Sequence, residues 1–214
     1  MMQSSRPPID LSIKMSKPSE ERGFTLMEFL ISAFILLLLC ASAFGVIGEI
    51  QRAAGYQAEV QSVLNNLRIA MQTLQRYIRT AGNDPFACGA VGITIVSSSE
   101  FVVESDLTGS AGPANPDKGD PDGDIADSGE RVAIRHNMKT RTLEVIPSGG
   151  PAQVVANYIS GLSLRYFDSD GKETSVGAEV RRISITVSAA GTRPDPQTHK
   201  IFAVELTSDM EISN

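Results

Sequence analysis

Glu28 is a carboxylate set at the head of a long apolar run. Phe29–Gly48 reads FLISAFILLLLCASAFGVIG, with no charged residue. At a rise of about 1.5 Å per residue such a run reaches roughly 30 Å, the hydrocarbon thickness of a bilayer. A charge at membrane depth costs about 2.5–3.5 kcal/mol on insertion scales and less near the interface, so a carboxylate there marks a functional position. The plain alternative is a side chain reaching back to the headgroups. A second set of acidic residues lies in Thr108–Glu130, TGSAGPANPDKGDPDGDIADSGE. Asp120, Asp122, Asp124 and Asp127, with Glu130, are a candidate set of hard oxygen ligands for Ca²⁺. The spacing departs from an EF-hand, because Gly123 precedes Asp124 and no Glu occupies the closing position. A solvated acidic loop explains the same residues. The connection is long for a compact domain, which points to a functional or mobile loop.

Other chemistry-bearing residues are sparse. The two histidines, His136 and His199, fall in different predicted strands, and neither has metal-ligand spacing. Gly-x-Ser-x-Gly, P-loop and dinucleotide fingerprints are absent, so no enzyme activity is expected. Cys88 follows a turn without an activating neighbour in sequence and is expected to pack. Cys40 falls inside the apolar run, so no intrachain disulfide with Cys88 is expected.

Three kinds of element must position these residues. Val60, Leu64, Leu67, Met71, Leu74, Ile78 and Ala81 recur at spacings of three and four, with polar residues between them. That is one apolar stripe on a helix. No proline interrupts Phe24 to Asn83, so a single helix is predicted from about Phe24 to Ala81, roughly 87 Å long. Gly82-Asn83-Asp84-Pro85 ends it. Gly45 and Gly48 are weak helix formers within it. Beyond Pro85 the period changes to two. Val91–Val96, Glu100–Glu104, Arg131–His136, Thr140–Ile146, Leu162–Phe167, Val180–Ser188 and Ile201–Thr207 read as strands. Asn137-Met138-Lys139 reads as a hairpin connection, Gln153–Ser160 as a short helix or turn, and Asp168-Ser169-Asp170-Gly171 as the turn of a strand pair. The fold class expected is α+β: one long N-terminal helix, its first half transmembrane, packed on a mainly antiparallel β-sheet.

Composition agrees with one modest globular domain plus a membrane segment: 214 residues, 42% hydrophobic, 21% charged, net charge −6. Residues 1–23 are polar, carry Pro7, Pro8 and Pro18, and read as a targeting segment. Met15 is an alternative start. Without residues 1–23 the chain keeps 15 basic and 22 acidic residues, a net of −7. An acidic domain argues against nucleic acid as a partner over its whole surface. Basic residues before the apolar run place the N-terminus in the cytoplasm and the remainder across the membrane.

Gly23-Phe24-Thr25-Leu26-Met27-Glu28, followed by an apolar helix, resembles the class III signal of type IV prepilins and type II secretion pseudopilins. The resemblance implies cleavage between Gly23 and Phe24 by a membrane-embedded prepilin peptidase, and N-methylation of Phe24. It also implies subunit assembly through Glu28, whose carboxylate would pair with the Phe24 amine of a neighbour and fix the axial register. Such pairing offsets the cost of burying either charge alone. Arg79-Thr80-Ala81-Gly82, Leu162–Gly171 and Val180–Val187 look like PilW-type minor pilins and the related J-type minor pseudopilins. That resemblance implies a low-abundance, pilin-like subunit that helps initiate or cap a filament at its tip, with other pilin or pseudopilin subunits as partners. Its location would be the inner membrane, single-pass, with a periplasmic C-terminal domain.

The expected organisation is a cleaved leader (1–23), the transmembrane half of the helix (24–48), its amphipathic half (49–82) and a β-rich pilin domain (83–214). The residues leave a type IV pilus and a type II secretion system both open. Two competing processing signals, Ala41-Ser42-Ala43 and Leu38-Leu39-Cys40, would instead treat the Gly23–Glu28 motif as chance. The alternative of another class is a membrane-anchored binding or adhesin domain that never polymerises.

Overall fold

Among the described residues one long helix is followed by eight strands, because the hydrophobic period changes from that of a helix to two after Pro85. The computed structural model describes residues 24–109, 119–127 and 129–212. Helix α1 spans Leu26–Thr80, 55 residues. It runs through Gly45 and Gly48 without interruption. Gly82, at φ 74°, takes the left-handed conformation that ends helices. Its amide then bonds Glu104 O at 3.0 Å, and Asp106 N bonds Asn83 O at 2.7 Å, so the helix end is tied directly to the sheet.

Five strands form an antiparallel meander: β1 (Ile93–Ser97), β2 (Glu100–Glu104), β3 (Arg131–Asn137), β4 (Thr142–Pro147) and β5 (Gln153–Ala156). Three more form a second antiparallel sheet: β6 (Ile159–Phe167), β7 (Arg182–Pro194) and β8 (Ile201–Glu211). The architecture is therefore α+β, with one apolar N-terminal helix packed on antiparallel sheets.

The described residues fall into two units divided between Gly48 and Glu49. In the second unit the buried face of α1 is Val63, Leu67, Ala70, Met71, Leu74 and Ile78. It joins Phe101, Ile134 and Leu143 of the first sheet and Ile183, Ile185 and Val187 of the second in one core. Strand β7 shows the cause in its sequence: Ile183, Ile185, Val187 and Ala189 are buried, while Ser184, Thr186 and Ser188 face the other way. Polar ties complete the docking. The Glu59 carboxylate accepts Thr192 Oγ1–H at 2.6 Å and Arg193 N–H at 3.3 Å. Asn66 Oδ1 accepts Asn157 N–H at 2.8 Å.

Four sequence expectations need correction. The helix stripe begins at Val63 rather than Val60 and Leu64, which are half-buried at its rim. Gln153–Ser160 is no helix or turn: Gln153–Ala156 pairs with β4, and Ile159 and Ser160 open β6. Asp168–Gly171 turns the chain, but β6 and β7 are joined by the whole of 168–181, including a 3₁₀ turn at Gly177–Glu179. The β strands also divide between two sheets rather than one.

Candidate functional site

Phe24 and Thr25 precede the helix, and Gly23 lies outside the described residues, so the peptide bond of the expected cut is seen only from its Phe24 side. Thr25 is the residue before the first helical turn, and Glu28 is its third helical residue. The two side chains close on each other. Glu28 Oε2 accepts the Thr25 backbone N–H and the Thr25 hydroxyl, each at 2.9 Å. Thr25 Oγ1 in turn accepts the Glu28 N–H at 3.2 Å. This is a capping box, which satisfies two helix-end donors reciprocally and sets a negative charge at the positive end of the helix dipole. Phe29 N–H completes the first turn on Thr25 O at 3.1 Å. The carboxylate is thereby folded back along the chain, bonded to the amide next to Phe24.

The expected partner of Glu28 is the Phe24 amine of a neighbour; the contact with Thr25 within the same chain is an addition to that expectation. The signal was present: Thr25-Leu-Met-Glu28 has the hydroxyl-x-x-carboxylate spacing of a capping box. Behind it, Leu26, Phe29, Leu30, Phe34, Leu36, Leu37 and Phe44 are all exposed. Among the described residues this is the single helix long and apolar enough to cross a membrane, and none of its apolar window is buried. Its length and composition are those of a membrane-spanning helix.

The acidic loop is arranged differently from the expectation. Asp120, Asp122, Asp124 and Asp127 do not converge as a metal-binding group among the described residues. Two of the carboxylates turn to backbone amides: Asp122 Oδ1 accepts Asp124 N–H at 3.3 Å, and Asp124 Oδ1 accepts Ala126 N–H at 2.8 Å. Glu130, 1% exposed, points inward. It accepts Leu107, Thr108 and Asp127 amides, each at 3.0 Å, and so staples both ends of the loop. The calcium assignment to these four aspartates is not carried by the geometry.

One group of potential ligands does converge among the described residues: Asp84, Cys88 and Asp106, with ligand atoms within 4.8 Å of one another. Each carboxylate already has partners. Asp84 accepts the Cys88, Gly89 and Ala90 amides, and Asp106 those of Asp122 and Gly123. Desolvation pushes the Asp84 carboxyl up. The Cys88 thiol and the three amides outweigh it and bring the pKa down to about 2. The Cys88 thiol is raised, first by its hydrogen bond to Asp84 and then by desolvation. Cys88 is thus an exposed thiol donor, not the packed residue expected, and it and Cys40 are both free.

The histidines form no site. His136 Nε2 lies 3.0 Å from Ile159 O, linking the two sheets. His199 is not in a strand: it sits at φ 56° in the β7–β8 connection, its N–H on Asp195 O at 2.9 Å. Compared with known proteins, the chain matches no protein-family model and no curated protein.

Proposed function

We propose that the chain is a minor pilin or minor pseudopilin, cleaved after Gly23, N-methylated at Phe24, and assembled through α1 into a filament that it helps initiate or cap. The observation that carries this reading is the Glu28 carboxylate, folded back beside Phe24 at the head of an apolar run whose large side chains are exposed among the described residues. Cleavage would turn the Phe24 amide nitrogen into an α-amine, which is largely protonated at neutral pH, with a pKa of about 7.7–8.0. A cation at a helix N-terminus is disfavoured by the helix dipole. Glu28 supplies the compensating charge, either to its own chain or to the amine of a neighbouring copy. In an apolar filament core the paired charges cost far less than either alone, so the pairing selects one stagger between subunits.

A type IV pilus and a type II secretion pseudopilus would use this device alike, and the chain is read as a PilW-like pilus subunit with the J-type pseudopilin as the alternative. Partners on this reading are other pilin or pseudopilin subunits and the prepilin peptidase, in the inner membrane and then at a filament tip.

Mass spectrometry of the mature N-terminus tests the proposal. A chain starting at N-methylated Phe24 supports it. A chain recovered with residues 1–23 attached, or starting at Cys40 or Phe44, overturns it. A Glu28→Ala chain should be cleaved normally yet fail to enter filaments.

A further inference from the structure

β8 is a sheet edge that the described residues leave open. It pairs with β7 on one side and with no other strand. Every other edge is short or covered. β1 has five residues with an irregular register, and the Gly177–Glu179 turn lies against it so closely that a Cβ at Gly177 would collide with the Ile93 carbonyl. β5 has four residues. β6 is met by Ser98 O on Leu164 N–H and by Arg141 O on Ile159 N–H. β8 runs eleven residues, IFAVELTSDME, with no proline and no Lys or Arg. Those are the usual devices that keep an edge from pairing.

The direction of its backbone follows from one bond. Ile212 N–H donates to Arg181 O, which marks the even-numbered residues of β8 as the ones bonded to β7. In an antiparallel ladder such positions alternate, so the N–H and C=O groups of Ala203, Glu205, Thr207 and Asp209 point away from β7. The two faces beside that edge differ. The inner face exposes Leu206 and borders a trough of about 470 Å³ lined by Ala54, Tyr56, Val60 and Phe202. The outer face carries Glu205, Asp209 and Glu211. Arg182 stands 4.0 Å from Asp209, and among the described residues Glu205 and Glu211 have no ion pair.

The geometry points to β8 as a strand-addition site for an extended segment of another protein whose residues alternate between apolar and basic. Main-chain bonds would supply affinity, and the period of two would supply specificity. Apolar side chains would face Leu206 and the trough, and basic ones would stand opposite Glu205, Asp209 and Glu211. A second copy of β8 is a poor occupant, since it brings three carboxylates and no cation to the same face. The inference is independent of how the N-terminus is processed.

The test uses the full chain in detergent micelles and a fluorescent ten-residue peptide of alternating arginine and valine, read by anisotropy. The comparison peptide has the same composition, with all its arginines in one block. The alternating peptide should bind at least tenfold more tightly. Thr207→Pro removes an outward N–H and should weaken binding tenfold or more while the thermal transition persists. Glu205→Lys provides the second arm: it should weaken the arginine–valine peptide and admit an alternating glutamate–valine peptide. Equal binding of the two arginine peptides, or binding unchanged in both variants, would overturn the proposal as diffuse charge attraction. Self-association abolished by Thr207→Pro would also overturn it, by assigning the edge to a second copy.

Discussion

At the scale of single residues, two carboxylates show how local partners decide what a charge can do. Glu28 has its two hydrogen bonds to Thr25 because the pair stands at capping-box spacing. Thr25→Val removes both the hydroxyl donor and the hydroxyl acceptor, so the first turn should fray. Amide exchange at residues 26–29 is expected to quicken about tenfold, the size of a typical cap loss, with exchange beyond the second turn unchanged. Uniform quickening along α1 would contradict a cap. At Asp84 the partners hold the charged form, with a pKa of about 2 against an ordinary 3.8. A carboxyl lowered on folding contributes stability that is fully present above its unfolded pKa and is lost as pH falls through the folded one. Asp84→Asn should therefore be less stable than the native chain at pH 5 and nearly equal to it at about pH 2, as read from urea midpoints across that range. The sequence made Asp84 legible only as a helix stop. Its role as an acceptor for three amides depends on the path of residues 85–90, which no spacing rule encodes.

The elements were legible where their period was long and regular. The helix stripe and the alternation of β7 could be read directly, because burial on one face imposes a period on the side chains. Gln153–Ala156 cannot be read as a strand from its sequence, because four residues are too few to establish a period and their pairing comes from β4. The division into two sheets was not legible either, since it rests on pairing: β5 ends the first sheet on β4, and β6 opens the second on β7. The same logic locates a vulnerable connection. Gly177 sits where a Cβ would collide with the Ile93 carbonyl, a backbone atom that can move only with β1. Gly177→Ala should cost about 1–3 kcal/mol, the usual range for overpacking. Gly171→Ala, in the same connection, has open space but a positive φ. It should cost less, about 1 kcal/mol from backbone strain alone. Equal losses in the two variants, measured by chemical denaturation, would count against the close approach as the reason for glycine.

For the whole molecule, the decisive fact is where the core begins. Among the described residues every buried apolar residue lies at or beyond Val63, and the large apolar side chains from Phe24 to Ile47 are exposed. The second unit holds the core, both sheets and the polar ties of Glu59 and Asn66. A chain beginning at Glu49 should then fold without detergent, with one cooperative thermal transition. The full chain, with its large exposed apolar run, should require detergent or membrane. Leu74→Ala, which empties a fully buried site on α1, should lower the stability of the shortened chain by about 2–5 kcal/mol. The same substitution should leave the attachment of the full chain to membranes unchanged, because the two properties reside in different units. A shortened chain that melts without cooperativity would show that residues before Glu49 support the core. An effect of Leu74→Ala on membrane attachment would show that the amphipathic half of α1 acts outside the domain it packs against.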